Sequence, residues 1–265
     1  MTVHGATQPP SGAVVFDRYW KERRRIEQIC YLVGALLILS GLFHLGVFAA
    51  RGGPWEGPVS WRKPTTFGLS FGATLLTITW VASYLTLSDR ARTWLLGIFA
   101  ADCVLEVAGI TVQAWRRVPS HFNNETALNT VVAMSLAVGG AVLIATLGAL
   151  AVTALRGRIR ATPDLKLALQ AGFALLMSGL AVGAAMIAKG EILIHSGKRR
   201  AAYNTAGSLK WVHGVTLHAI IVLPALALGL AYLGWAEHRR TGAVKLATAG
   251  YVVATLAVAA ASLLR

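Results

Sequence analysis

Seven stretches of this chain are each long and apolar enough to cross a lipid bilayer, and no other feature limits the possible folds so strongly. They cover about 30–50, 65–87, 93–115, 128–155, 167–189, 211–235 and 242–264. A helix needs roughly 20 apolar residues to cross the hydrocarbon core of a membrane. In lipid the backbone must satisfy its own hydrogen bonds, so runs of this length fold as helices. Only 14% of the residues are charged, against about 25% in soluble domains. The expected fold is all-α: a polytopic membrane protein with about seven transmembrane helices in one bundle. Residues 30–265 form that single domain, and residues 1–29 form a basic N-terminal tail and surface segment. Residues 1–15 lack the basic start and apolar core of a secretory signal. No connection between spans is long enough for a soluble domain, and no internal repeat stands out.

Lys and Arg counts set the expected orientation. The N-terminus and the loops after spans two, four and six hold 14 of the 25 basic residues, and the other side holds 11. The N-terminal cluster tips the balance toward a cytoplasmic N-terminus and an outside C-terminus. The net charge of +14 then reads as contact with anionic lipids rather than nucleic acid, because no basic soluble module exists. Two cysteines, Cys30 and Cys103, fall at different depths and read as buried free thiols. The inner loops RGRIRATPDLK (156–166) and EHRRTGAVK (237–245) look like plain basic connectors. The outer loops are rich in Trp, Arg, His, Asn and Ser, the kind of polar, specific loop that carries function.

The third span, with the turn after it (99–126), carries the polar residues hardest to explain as lipid-facing. Asp102, Glu106 and Gln113 share one stripe of the helix with Arg117, since each residue turns the helix by about 100°. Ionisable groups at such depth cost several kcal/mol unless paired or hydrated, and they face the bundle interior. Counting along the helix at about 1.5 Å per residue places Asp102 and Glu106 near the midplane and Gln113 further out. His44 in span one and His218 in span six each fall roughly 6 Å to the outer side, and His213 about 13 Å. Arg62, Lys63, Arg116, His121, Glu191 and His195 would roof this outer half. His213 and His218 stand about 140° apart around their helix, so a regular helix cannot aim both at one ion. Thr66, Ser70 and Thr74 form a hydroxyl stripe on span two, which either lines the same cavity or bonds back to its own backbone. Gly68 with Gly72, and Gly179 with Gly183, are small-residue pairs suited to close helix packing. Pro224 marks a kink in span six.

SWRKPTTFGLSFG (60–72), QAWRRVPSHFN (113–123) and WVHGVTLHAIIVLPALAL (211–228) resemble segments of a group of uncharacterised bacterial multi-pass membrane proteins. The resemblance covers the first three spans and the sixth. It implies a bacterial inner-membrane location and carries over no catalytic residue.

Three kinds of function fit these residues. The first is a haem- or metal-binding redox or electron-transfer protein. Imidazoles suit haem iron and transition metals, and a carboxylate can complete a metal site. His44 and His218 would be axial ligands of a b-type haem, with His213 and His121 nearby and Arg62, Lys63 and Arg116 meeting the propionates. In a metal variant Glu106, His44 and His218 would be the ligands. The second is a small-molecule or proton-coupled transporter or binding protein, with Asp102 or Glu106 carrying a proton and Gln113 and Ser70 lining the pocket. The third is an assembly partner whose outer loops dock another membrane protein. The expected site is an outward-opening polar pocket walled by spans one, two, three and six.

Overall fold

The computed structural model describes Trp20, residues 22–204 and residues 209–263. Its helices are α1 (Arg25–Arg51), α2 (Arg62–Ala82), α3 (Asp89–Trp115), α4 (Ala127–Leu155), α5 (Pro163–His195), the short α6 (Arg199–Tyr203), α7 (Lys210–Tyr232) and α8 (Glu237–Leu263). All but α6 are long and apolar enough to cross a membrane. The molecule is a multi-pass integral membrane protein with an all-α bundle, as its apolar blocks require. Most of the expected N-terminal tail lies outside the described residues, and the part from Arg25 onward already belongs to α1.

Local chemistry sets the helix starts. Ser88 accepts a hydrogen bond from the Ala91 amide and Thr126 from the Asn129 amide, each at 3.2 Å, which satisfies an amide the helix leaves unpaired. Pro163 opens α5, where its missing N–H costs nothing. With 33 residues, α5 is about 50 Å long at 1.5 Å per residue, so it projects beyond the hydrocarbon layer.

Small residues decide which helices pair. A Cβ on Gly68 would lie 2.7 Å from the Gly41 backbone nitrogen, and one on Gly72 would lie 2.6 Å from the Gly34 carbonyl oxygen. The backbones of α1 and α2 therefore touch, which any larger side chain would prevent. The same device joins α5 to α7. A Cβ on Gly179 would meet Thr216 Oγ1 at 2.6 Å, and Gly183 lies beneath the His213 ring. Around these two tight pairs, α3 packs on α1 and α2, α4 bridges α3 and α5, and α8 lies outside α5 and α7. Contact between α2 and α7 is slight. The apolar core sits in one half of the bundle, around Leu75, Ile78, Phe99, Leu150, Phe173 and Ile220. The last span is peripheral, since only 6% of its apolar window is buried.

The two ends of the bundle are built differently. At the end holding the 83–88 and 156–162 turns, Glu27 and Arg92 are almost fully buried and form an ion pair at 3.8 Å. Arg92 also donates to the carbonyls of Ala82 and Leu85, tying α3 to the end of α2. Leu85 and Ile159 form an isolated antiparallel bridge. Arg240 reaches the buried Asp164 at 3.2 Å, joining α8 to α5. The reading of 156–166 and 237–245 as plain connectors is therefore corrected. They pin helix ends together through backbone bonds between Arg158, Arg160 and residues 84–86 and through the Arg240–Asp164 pair, because a buried acid and backbone groups at the membrane edge need partners.

The opposite, loop-rich end holds the segments 52–61, 116–126 and 196–204. Glu56 takes Arg62 at 3.3 Å and Lys210 at 3.6 Å, linking α2 to α7. Phe122, with φ of 62°, presses its ring onto Gly190 of α5, where a Cβ would collide with it. Positive φ is uncommon for a bulky residue. Here it lets the 116–126 turn reach across to α5.

Candidate functional site: buried acids at an α3–α4 groove

The polar stripe on α3 exists, but it faces a different neighbour from the one expected. Asp102 and Glu106 are 6% and 5% exposed, and Gln113 is fully buried. The acids lie against α4. A Cβ on Gly139 would sit 2.8 Å from Asp102 Oδ1 and 2.8 Å from Glu106 Oε1. Glycine at this point lets the two carboxyls fit between the helices. Asp102 Oδ2 is buried and has no hydrogen-bond partner. Beside the acids runs a groove of about 600 Å³, lined by Asp102, Ile98, Leu105, Met134, Val138 and neighbouring residues of α3 and α4. Val131, Met134 and Val138 on its rim are more than half exposed, so it opens sideways, toward lipid.

Toward the loop-rich end the two helices also touch. A Cβ on Gly109 would lie 3.0 Å from Leu136 Cδ2, so α3 and α4 are in contact there. Beyond that contact, Arg116 donates to Gln113 Oε1 at 2.5 Å and to Asn129 Oδ1 at 2.7 Å, and Gln113 Nε2 donates to Asn129 Oδ1 at 3.2 Å. This is a satisfied network that ties the end of α3 to the start of α4. Arg117 leaves the stripe. The helix ends at Trp115, and Arg117 turns away with φ of 57°.

The histidines do not converge. His44 donates through Nδ1 to the Ser40 carbonyl at 2.7 Å, and its Nε2 accepts from Trp115 Nε1 at 3.1 Å. An indole N–H only donates, so the Nδ1–H tautomer follows and both ring nitrogens are used. His44 stacks on Trp61, and Trp61 packs edge-on against Trp115. His213 bonds the Gly179 carbonyl at 2.7 Å and locks α7 to α5. His218 is exposed and bonds its own helix at the Gly214 carbonyl at 2.6 Å. His195 likewise bonds the Glu191 carbonyl at 2.8 Å. Helices α1 and α7 share no substantial contact. Among the described residues, no three His, Cys, Asp or Glu side chains come together as a metal-binding group. The grouping of Glu106, His44 and His218 is thus corrected: equal depth along separate helices does not bring side chains together, because azimuth decides contact.

The basic residues proposed to meet an acidic group are committed elsewhere. Arg62 pairs with Glu56. Lys63 donates to Ser120 Oγ at 3.4 Å, and Ser120 Oγ lies 3.0 Å from His121 Nδ1. His121 packs between Phe67 and Phe122. Burial, and then the Lys63 charge, push its pKa down to about 4, so it is neutral near pH 7. Thr66 bonds back to the Arg62 carbonyl at 2.8 Å, and Ser70 is half-buried on the same helix. Cys30 and Cys103 are buried free thiols, as expected.

The pocket predicted between spans one, two, three and six is therefore corrected to a groove between spans three and four. Sequence reasoning missed Gly139 as the wall of the site, although a Gly139–Gly140 pair in an apolar span was a visible sign of close approach. It also missed Glu27, Arg92 and Asn129, each a polar residue at the border of an apolar block. No family model, curated protein or solved structure matches the chain.

Proposed function

We propose that this is a proton-coupled small-molecule binding or transport protein, with Asp102 and Glu106 as its proton-exchanging groups. One observation carries the reading: a buried carboxyl oxygen with no partner, on Asp102, beside a second buried acid at a laterally open groove. A charged side chain at the centre of a bilayer costs several kcal/mol unless something compensates it. Two acids one turn apart on one face also repel when both are charged. The pair therefore holds at least one proton when nothing cationic is bound, and gives it up when a partner arrives. The groove supplies the access that a purely structural acid would not need. The N-terminus is cytoplasmic in this reading, in a bacterial inner membrane, supported by the basic excess on that side and by the resemblance of the three motifs.

The test is infrared difference spectroscopy of the protein in lipid nanodiscs between acid and alkaline buffer. A protonated-carboxyl band is expected to titrate and to vanish in the Asp102→Asn, Glu106→Gln double variant. A band that does not titrate, or that persists unchanged in the double variant, would overturn the reading.

A further inference from the structure

We propose that the α3–α4 groove binds a lipophilic organic cation that enters sideways from the bilayer core. This rests on the proton-exchange reading above and names the ligand class for the same site.

Charge comes first. The groove lining contains one acid, Asp102, and no basic side chain, and Glu106 lies beside it against Gly139. The arginines of α3 cannot supply the missing charge. Arg92 is held by Glu27 and by the carbonyls of Ala82 and Leu85. Arg116 is held by Gln113 and Asn129. Arg92 sits in the first turn of a 27-residue helix and Arg116 just past its last residue, roughly 15 Å and 21 Å from its middle at about 1.5 Å per residue. A positive charge that pairs with Asp102 must therefore come from outside the protein. An anion has no partner here and would meet the Asp102 carboxyl, with Glu106 beside it.

Size and access follow. A groove of about 600 Å³ lies within the range of about 300–1,000 Å³ typical of small-molecule sites. Apart from Asp102 and Ser135, its lining is apolar, which suits a bulky hydrocarbon body. The Gly109–Leu136 contact and the Gln113–Asn129–Arg116 network hold α3 against α4 toward the loop-rich end. The rim at Val131, Met134 and Val138 is open. A ligand reaching the site through that rim comes from the membrane and must partition into it first. Binding is an exchange: the cation pairs with a carboxylate, and the proton that neutralised that carboxyl is released to water. Charge balances at one proton per monovalent cation.

The experiment is equilibrium dialysis of radiolabelled tetraphenylphosphonium against the protein in nanodiscs, with empty nanodiscs as the background. Tetraphenylborate, of the same shape and opposite charge, is the competitor. Saturable binding near one site per chain is expected. It should weaken at least tenfold from pH 8 to pH 5, release about one proton per cation, and resist tetraphenylborate. Asp102→Asn with Glu106→Gln should abolish it. Val138→Trp, which fills the mouth and leaves both acids in place, should weaken it at least tenfold while the carboxyl band still titrates. No saturable binding, equal displacement by the anion, or full binding in the double variant would each overturn the proposal. If binding is absent while the carboxyl band titrates and disappears in the double variant, the ligand class falls and proton exchange stands. If the band also fails, both fall.

Discussion

Replacing Gly139 with alanine tests the placement of α4 against the acid pair, and Gly140 beside it serves as the control. A Cβ on Gly139 would lie 2.8 Å from Asp102 Oδ1, 2.8 Å from Glu106 Oε1 and 3.3 Å from Leu105 Cδ2, whereas one on Gly140 meets nothing within 4 Å. Gly to Ala inside a helix contributes about 1 kcal/mol through backbone entropy and propensity, measured in water. Both variants share that gain. Only Gly139→Ala adds the overpacking term, about 1–3 kcal/mol for an extra carbon forced into a packed contact. The two variants should therefore differ by about 1–3 kcal/mol, a factor of roughly 5–150 in the unfolding equilibrium, with Gly139→Ala the less stable. Thermal and denaturant unfolding in one detergent, followed by tryptophan fluorescence, measures this. A double-mutant cycle sharpens it. Once Asp102→Ala and Glu106→Ala remove both oxygens, most of the Gly139→Ala penalty should disappear, because neighbours that clash do not contribute independently. Equal shifts for Gly139→Ala and Gly140→Ala would refute the α3–α4 geometry, and with it the groove.

Two further outcomes test the ends of the bundle. Arg92→Met leaves the buried Glu27 facing only Arg24, at 3.5 Å and half-exposed. It should destabilise the fold by about 3–5 kcal/mol, whereas Arg90→Met, at an exposed position of the same helix, should change unfolding by less than about 0.5 kcal/mol; similar losses from both would argue against the clamp. His121 has its folded pKa near 4, below its usual 6.5. Its contribution to stability is therefore complete above about pH 6.5 and falls as the pH drops toward 4, by on the order of 1 kcal/mol at pH 5 after allowance for partial exposure. His121→Gln should remove that increment of acid sensitivity between pH 7 and pH 5, read as the change in unfolding midpoint, and an identical pH dependence in the two proteins would contradict the buried neutral imidazole.

The difference between the expected and observed site is instructive at His44 and Glu106. Position along their helices puts both near the middle of the membrane, but His44 faces Trp61 and Trp115 while Glu106 faces Gly139. The hydroxyl stripe on α2 shows the same limit. Thr66 spends its hydroxyl on its own helix, an outcome the spacing permitted but did not require. The small-residue pairs were more informative. Gly68 with Gly72 and Gly179 with Gly183 were read as packing surfaces, and they form the two tightest helix pairs of the molecule.

The sequence by itself determined the solvent and the class of fold. Seven apolar runs of bilayer length leave the backbone no alternative to helix, because lipid offers it no hydrogen bonds. It also determined that Asp102, Glu106 and Gln113 share one face, since helical periodicity is a local property. The tertiary structure decided which neighbour that face meets. Helix association in lipid depends on shape at a few small residues rather than on hydrophobic pattern, since lipid tails are as apolar as the side chains they meet. Gly139 admits the two carboxyls, Gly109 admits Leu136, and the groove runs beside the Asp102 carboxyl on the same pair of helices. Periodicity names the face that is polar. Only packing shows that this face lies against α4, beside a groove that opens to the membrane.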